Sequence, residues 1–185
     1  MPFTATPTKL ADVLILQPKV HGDARGFFYE SFNARDFASA TGLNVEFVQD
    51  NHSLSSQGVL RGLHYQIQHA QGKLLRVVQG EVFDVVVDLR KNSASFGQWA
   101  GTHLSADNAK QLWVPPGFAH GFLVLSKSAE FLYKTTDYWY PEHERSLLWS
   151  DPAVGIEWPL PEGFFAPVLA TKDAAALPLS LAETF

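Results

Sequence analysis

The 185-residue chain has a formal net charge of −5 and only 18% charged residues, so it lacks a broad basic surface for nucleic acid, which we exclude as a partner. Hydrophobic residues make up 46% of the sequence, enough for one core, and we expect residues 1–185 to form a single domain. There is no cysteine and no apolar run of roughly 18–20 residues, which excludes disulfides and Cys-ligated metals and predicts a cytoplasmic protein that enters no membrane.

Alternation of apolar and polar residues predicts nine short β-strands. Their ranges are 12–17, 26–32, 59–66, 73–78, 81–90, 97–104, 111–114, 120–125 and 130–139. One short helix is predicted over 33–41, with Asn33 as its N-cap and Gly42 just past its end. Gln79-Gly80 is typical of a tight hairpin turn. Strands of this kind predict an all-β domain that closes into an antiparallel sandwich or barrel.

After residue 140 the chain becomes rich in proline and the strand signals fade. Large aromatic residues persist in this region, namely Trp149, Trp158 and Phe164. Free linkers rarely carry such residues, because their exposure to water is unfavourable. We therefore expect an irregular C-terminal segment that packs against the barrel.

Alternation also indicates which side chains share one face of a strand. In the strand at 81–90, one face is expected to be core: Phe83, Val85, Val87 and Leu89. Asp84 and Asp88 lie on the opposite face of that strand, among valines. In the strand at 130–139, one face combines aromatic and hydroxyl groups and suits a binding cavity: Phe131, Tyr133, Thr135, Asp137 and Trp139. In the strand that follows Pro115-Pro116-Gly117, one face should hold Phe118, His120 and Phe122.

The segment RGLHYQ at 61–66 places a single histidine in a strand, where it can be a structural residue, a metal ligand or a general base. The surrounding sequence resembles in outline the two motifs with which jelly-roll proteins of the cupin superfamily bind metal. His64 and His120 occupy histidine positions of those motifs. Gln66, however, stands where a second histidine is needed, and Lys73 lies where a glutamate is expected. Because a stable site requires three or four donors and an ammonium repels a divalent cation, we predict no metal.

His64 is then either a core imidazole with satisfied hydrogen bonds or a general base. A neutral imidazole is buried at little cost, since its pKa is near 6.5. Arg61 and Lys73 nevertheless supply cationic groups close by in the sequence, and Tyr133 lies on a polar face. A histidine can remove a proton next to a carbonyl, a lysine can stabilise the enolate oxygen, and a phenol can return the proton from the other side.

Six motifs, in order along nearly the whole chain, resemble those of the dTDP-4-dehydrorhamnose 3,5-epimerase family of the cupin superfamily. They are DARGFFYE at 23–30, FVQDNHSLSSQGVLRGLHYQ at 47–66, QGKLLRVVQGEVFDVVVDLR at 71–90, WVPPGFAHGF at 113–122, YKTTDYW at 133–139 and TKD at 171–173. The resemblance implies a cupin jelly-roll barrel. It also implies epimerisation at C3 and C5 of dTDP-4-dehydro-6-deoxy-D-glucose to dTDP-4-dehydro-L-rhamnose, in dTDP-L-rhamnose biosynthesis. No cofactor is implied, because the 4-keto group already acidifies both neighbouring C–H bonds.

The resemblance assigns roles to individual residues. His64 matches the general base, Asp173 the carboxylate that orients its imidazole, and Tyr133 the acid on the opposite face of the sugar. Lys73 matches a lysine near the sugar, where an ammonium can stabilise the enolate oxygen. Three cations match positions suited to the pyrophosphate: Arg25, Arg61 and Lys172. Further substrate-contacting positions are matched by Glu30, Gln49, Asp50, Asn51, His120 and Glu144.

One residue departs from the family sequence, and one spacing departs from strand alternation. Trp139 stands where the family commonly has a tyrosine that stacks on the thymine ring, and the larger indole is expected to preserve the stacking. Arg61 and His64 are an odd number of residues apart, so strict alternation sends them to opposite faces of the strand. Either a bulge at Gly62 brings them to one side, or Arg61 serves another part of the ligand.

Relatives in this family are homodimers that exchange N-terminal strands, so the resemblance implies that Arg25 and Glu30 complete the partner's site. A structural ion pair between these two residues is the simpler interpretation. The alternative activity is epimerisation at C3 or C5 only of a related dTDP-4-keto-6-deoxy sugar, because the same base and acid serve either carbon. A metal-dependent oxygenase and a non-catalytic nucleotide-sugar-binding module are the other classes considered.

Overall fold

The computed structural model describes residues 3–185, in which two antiparallel sheets lie face to face. The strands in this part of the chain are β1 (Phe3–Pro7), β2 (Leu14–Pro18), β3 (His21–Asp23), β4 (Gly26–Phe28), β5 (Gln49–Ser56), β6 (Leu60–Gln66), β7 (Lys73–Gln79), β8 (Glu81–Asp88), β9 (Trp99–Ser105), β10 (Gln111–Val114), β11 (Phe118–Val124), β12 (Ser128–Thr135) and β13 (Glu144–Ser146). Two helices, α1 (Ala34–Thr41) and α2 (Thr171–Ala174), and a 3-10 turn at Pro141–His143 complete the regular structure.

The two large sheets have a jelly-roll arrangement. One has six strands in the order β1-β2-β10-β7-β12-β5, and the other has five in the order β13-β6-β11-β8-β9. A separate two-stranded hairpin joins β3 and β4. The predicted all-β jelly roll with one short N-terminal helix is confirmed, and α1 has Asn33 as its N-cap and a left-handed Gly42 at its end.

Three expectations about the elements are corrected. The sequence did not predict four of the strands, β1, β3, β5 and β13, or the single-turn helix α2. The strand predicted at 130–139 ends at Thr135. Gln79-Gly80 is not a hairpin turn, because β7 and β8 belong to different sheets. Gly80 instead turns the chain sharply from one sheet to the other, and a Cβ there would lie 2.1 Å from the carbonyl oxygen of Ser128.

Three groups of apolar side chains hold these layers together. The largest lies between the sheets and includes Leu75, Val82, Val86 and Phe122. A second group covers the outer face of the five-stranded sheet, where the predicted packing of the C-terminal segment is confirmed by Trp158, Leu179 and Phe185. A third packs α1 on the outer face of the six-stranded sheet through Phe37 and Trp113. Within residues 3–185, no helix is long and apolar enough to cross a bilayer.

Candidate active site

A cavity of about 590 Å³ opens between the two sheets. Eleven of the fourteen residues that the sequence assigned to the site line it: His64, Lys73, Tyr133, Asp173, Gln49, Asn51, Arg61, His120, Trp139, Glu144 and Lys172. Its apolar side includes Phe122 and Phe131, whose rings stack with centroids 4.3 Å apart. The cavity therefore combines an apolar wall with a dense group of polar and charged side chains.

His64 and Asp173 form a close pair at this cavity. His64 lies on β6, and Asp173 is carried by α2 from 109 residues further along the chain. The Nε2 atom of His64 is 2.5 Å from Oδ1 of Asp173, whose side chain is buried. A carboxylate that accepts the Nε2–H bond leaves Nδ1 as the unprotonated nitrogen, which is the form of imidazole that can accept a proton.

Tyr133 enters the cavity from the opposite wall. It lies on β12 in the six-stranded sheet, whereas His64 belongs to the five-stranded sheet. Burial raises the pKa of the Tyr133 phenol and the nearby Glu144 raises it further, while Arg61 lowers it. The phenol is therefore protonated at neutral pH and can donate a proton to a ligand held between the sheets.

Lys73 is a buried cation beside the histidine pair. Its Nζ atom lies 3.4 Å from the carbonyl oxygen of His64. Burial lowers the pKa of Lys73 to about 8, although the carboxylates of Glu144 and Asp84 raise it. The ammonium therefore persists at neutral pH in an environment where its charge acts strongly on a ligand.

His120 leads to a residue that the sequence interpretation missed. Its Nε2 atom lies 2.9 and 3.1 Å from the two carboxylate oxygens of Asp84, which is fully buried. Burial raises the pKa of Asp84, against the effects of His120 and Lys73, and burial also lowers the pKa of His120. A signal was available in the sequence, because an aspartate between valines of a buried strand needs a polar partner.

Both faces of β8 are buried, which refines the assignment of a single core face. Phe83, Val85 and Val87 face the C-terminal segment. Val82 and Val86 point between the sheets, and Asp84 shares their face. The position of Asp84 within the barrel therefore follows from alternation once both faces are covered.

Arg61 and His64 line the same cavity despite their odd spacing. The pairing of β6 with β11 shifts register between His120 and Phe122, opposite Gly62, which has a φ of +128°. The irregularity predicted at Gly62 is therefore confirmed. The guanidinium Nε of Arg61 donates to the Ser55 hydroxyl at 2.9 Å, which leaves its terminal nitrogens for a ligand.

Polar side chains from β5 and β13 extend this lining. The Gln49 amide donates to Oδ1 of Asn51 at 2.9 Å. The buried Nδ2 atom of Asn51 has no hydrogen-bond partner among residues 3–185, so it is a donor available to a ligand. The Nζ atom of Lys172 donates to both carboxylate oxygens of Glu144 at 3.0 and 3.1 Å.

Three of the sequence-predicted site residues lie outside the cavity of this chain. Arg25 is exposed and pairs with Asp23 at 2.6 Å, so the alternative interpretation, an ion pair with Glu30, is not supported. Glu30 is exposed just beyond the β3–β4 hairpin. Asp50 points to the outer side of the six-stranded sheet, where it accepts a hydrogen bond from Lys134 at 2.9 Å, because its neighbours in β5 take the inward positions.

Gln66, at the position of the second motif histidine, is fully engaged with the backbone of its own chain. Its side chain is buried and hydrogen-bonds to the backbone of Tyr138, Tyr140 and His69. Across residues 3–185, no group of three or more His, Cys, Asp or Glu side chains is arranged to hold a metal ion. Gln66 therefore holds the backbone on either side of Trp139 through hydrogen bonds.

Comparison with known proteins places these features in one family. The sequence model of dTDP-4-dehydrorhamnose 3,5-epimerase matches residues 7–180. The chain belongs to this family. It is 58% identical over 181 residues to the dTDP-4-dehydrorhamnose 3,5-epimerase of Pseudomonas aeruginosa, with 98% of each chain covered.

Solved structures agree with this membership. The Legionella pneumophila family member, determined with dTDP-4-keto-L-rhamnose, matches with a TM-score of 0.94 and 51% identity over 98% of this chain and 95% of that chain. A 3'-monoepimerase from Streptomyces bikiniensis, determined with dTDP-quinovose, matches with a TM-score of 0.87 and 32% identity, covering 94% and 87%. The fold is therefore common to double and single epimerases, whereas the identity is higher to the former.

Proposed function

We propose that this chain inverts C3 and C5 of dTDP-4-dehydro-6-deoxy-D-glucose without a cofactor and so produces dTDP-4-dehydro-L-rhamnose. The observation that carries the proposal is the placement of His64 and Tyr133 on opposite walls of one cavity. Epimerisation requires removal of a proton from one face of a carbon and return of a proton to the other. A base and an acid on facing sheets meet that requirement.

In the proposed reaction, Nδ1 of His64 takes the proton next to the 4-keto group, and the electron pair of the C–H bond moves to form an enolate. Asp173, at 2.5 Å, stabilises the imidazolium that results. The Tyr133 phenol then donates its proton to the opposite face of the carbon. The imidazolium then releases its proton to solvent and the Tyr133 phenolate takes up a proton from solvent, which restores both groups. The same pair can therefore act in turn at C3 and at C5, since both carbons adjoin the 4-keto carbon.

Lys73 supplies the charge that the enolate oxygen needs. Its ammonium is buried beside His64, where the low local polarity strengthens its attraction for an oxyanion. The 4-keto group and this ammonium together make the C–H bonds acidic enough for an imidazole. The proposed step therefore uses only the substrate and the side chains of this cavity.

The rest of the cavity suits a nucleoside diphosphate. Arg61 and Lys172 are the cations that line it and suit the pyrophosphate. Trp139 presents an indole at the mouth, where 55% of the residue is exposed, and can stack on thymine. We place the reaction in the cytoplasm, which agrees with a chain without cysteine.

Epimerisation at a single carbon is the second candidate function. The Streptomyces bikiniensis 3'-monoepimerase shares the fold at 32% identity. The 58% identity to the Pseudomonas aeruginosa enzyme favours the double reaction. The two activities differ in which carbons exchange a proton with solvent, and this difference can be measured directly.

We also propose that the active form is a homodimer in which the N-terminal hairpin of each chain completes the partner's cavity. Arg25 and Glu30 do not line the cavity of their own chain. Phe27 and Phe28 on the same hairpin are 73% and 72% exposed, which is unfavourable for large apolar side chains in an isolated chain. A partner subunit that covers this hairpin would remove that exposure.

The His64→Ala variant tests the proposed base. We expect it to lower solvent-proton exchange into the substrate by about 10³-fold and to change the Kd for dTDP by less than about three-fold. His103→Ala is the matched control, since His103 also pairs with a carboxylate, that of Glu81 at 2.7 Å, but does not line the cavity. An active His64→Ala variant would refute the assignment, and dTDP binding without exchange in the unaltered protein would indicate a binding module.

A further inference from the structure

The segment at 137–140, which carries Trp139, lies beyond the end of β12 and is outside the sheet ladder. Its exposed rings do little to fix it, because Tyr138 and Trp139 are each 55% exposed. A segment of this kind is ordinarily mobile, since its backbone groups bond to water. Here other side chains hold its backbone in place.

Three glutamines make direct hydrogen bonds to this backbone. The Gln71 amide donates to the carbonyl oxygen of Asp137 at 2.9 Å. The N–H of Trp139 donates to Oε1 of Gln49 at 3.2 Å. Gln66 contributes twice, because its amide donates to the carbonyl of Tyr138 at 3.1 Å and its Oε1 accepts the N–H of Tyr140 at 2.8 Å. We call these three residues the glutamine clamp.

Gln66 is the central member of the glutamine clamp. It is only 4% exposed, and its amide also donates to the carbonyl of His69 at 2.7 Å, so both ends of its side chain are used. It lies two residues after His64 on the same face of β6, which directs it under the 137–140 segment. Unlike Gln49, it does not line the cavity.

We propose that Gln66 is a positioning residue for nucleotide binding: it fixes the 137–140 backbone so that the Trp139 indole stands ready at the mouth of the cavity. This inference rests on the proposed function, in which Trp139 stacks on thymine. The clamp acts before any ligand arrives, so it lowers the ordering cost of binding. Gln66 makes no contact with His64, Tyr133 or Lys73 side chains in the hydrogen-bond network of residues 3–185, so the proton-transfer step is left unchanged.

The test substitutes Gln66 by methionine, which keeps the shape of the side chain and removes its hydrogen bonds. For Gln66→Met we expect the Kd for dTDP, measured by calorimetry, to rise about ten-fold and kcat to change less than about two-fold. Gln57→Met is the matched control, because Gln57 donates a similar bond to the Leu125 carbonyl at 2.7 Å away from the cavity. It should leave both quantities unchanged. A Gln66→Met protein that binds dTDP as tightly as the unaltered protein would overturn the proposal.

A second measurement shows whether the effect runs through the indole. On a Trp139→Ala background, Gln66→Met should weaken dTDP binding by less than about two-fold, because the group that the clamp positions is gone. An undiminished ten-fold loss on that background would overturn the proposal. If Gln66→Met does not fold, Gln71→Met removes one of two side-chain donors to the Asp137 carbonyl, and the Thr135 hydroxyl remains as the other at 2.9 Å. Because Gln71 itself lines the cavity, its effect is measured with and without Trp139→Ala. Binding of dTDP that weakens about three-fold, and only when Trp139 is present, supports the clamp, and any other result overturns it.

Amide exchange separates failure of the clamp from failure of the proposed function. Without nucleotide, the Tyr140 amide should exchange with solvent at least about ten-fold faster in Gln66→Met than in the unaltered protein, since its acceptor is lost. Unchanged exchange would overturn the clamp. If the unaltered protein exchanges no proton into the substrate, only the epimerase proposal fails. The clamp is still tested in that case, because exchange of the Tyr140 amide is measured without substrate.

Discussion

Burial and neighbouring carboxylates shift the pKa of Lys73 in opposite directions. Burial lowers its pKa to about 8, and Glu144 and Asp84 act in the opposite direction. Lys172 lowers the pKa further, and the carbonyl oxygen of His64 faces the ammonium at 3.4 Å. Loss of the proton from Lys73 should therefore set the alkaline limit of activity.

This balance predicts a pH dependence. As pH rises through about 8, Lys73 loses its proton and kcat should fall, because a neutral amine stabilises an enolate less well. Asp84→Asn removes a negative charge that favours the ammonium, so the alkaline limb of the kcat profile should move to lower pH. The measurement is kcat against pH for both proteins.

Asp36→Asn is a suitable control for that profile, since Asp36 is a carboxylate on α1 outside the cavity. Its alkaline limb should coincide with that of the unaltered protein. If the alkaline limbs of the kcat profiles of Asp84→Asn and the unaltered protein coincide, the hypothesis that an ionised Asp84 stabilises the Lys73 ammonium is wrong. The contribution of Asp84 to His120 geometry is separate, because an asparagine oxygen can still accept the Nε2–H bond.

The individual residues were predictable to different degrees. Residue type, alternation and the incomplete ligand set made His64, Lys73 and Tyr133 candidates, whereas their individual roles, and that of Asp173, came from the family resemblance. Asp173 was not a candidate on those grounds, because 109 residues separate it from His64 and only the fold brings α2 to β6. Alternation separated Asp84 from the Phe83 face of β8 but did not show that the Asp84 face lies between the sheets, and its role depends on a second buried group, His120, across the β8–β11 pair.

At the scale of elements, an irregularity in β6 brings two of its proposed site residues into one cavity. At Gly62 a Cβ would lie 2.5 Å from the Gly121 Cα and 2.9 Å from the His120 carbonyl oxygen, and φ is +128°. Glycine is therefore required there both for backbone conformation and for close approach of β11. The irregular backbone also lets Arg61 and His64 share the cavity.

Gly62→Ala should lower the free energy of unfolding by about 3 kcal/mol or more and reduce kcat, because β11 must move away from β6. Gly163→Ala is the control, since Gly163 also has a positive φ, +84°, but nothing lies within 4 Å of an added Cβ. It should lose only about 1–2 kcal/mol. Chemical denaturation checks both values, and equal losses would show that the approach to Gly121 is unimportant.

The strand that the sequence failed to predict at 49–56 shows why periodicity has limits. Burial alternates along β5, with Gln49, Asn51, Ser53 and Ser55 inward. Gln49, Asn51 and Ser53 are polar because they line the cavity rather than a dry core, and Ser55 accepts a hydrogen bond from Arg61. Hydrophobic periodicity therefore gives no signal where a strand lines a polar site, even though the backbone alternates normally.

For the whole molecule, the proposed exchange of hairpins predicts complementation between inactive variants. His64→Ala and Arg25→Ala homodimers should each be weakly active. In a mixed dimer with exchanged hairpins, one site carries both substitutions and the other carries neither. Refolding an equal mixture should therefore restore about a quarter of the unaltered activity, because half of the dimers are mixed and each has one intact site.

Sites completed within one chain would give no such recovery, which would contradict the exchange. Mass determination by light scattering, done on the same samples, checks that the proteins are dimers.

The extent of the domain also stays a prediction at this scale: a single cooperative unfolding transition is expected if residues 1–185 fold as one unit. The jelly roll itself followed from strand patterning and family motifs, whereas the partition of strands between sheets required long-range pairing.

In the proposed mechanism, one base and one acid on facing sheets act at two carbons of the same sugar. NMR of dTDP-4-dehydro-6-deoxy-D-glucose incubated with the protein in D2O tests it most directly. We expect deuterium at both C3 and C5, with product in the L-rhamno configuration. Deuterium at only one of these carbons, with the other proton retained, would contradict it.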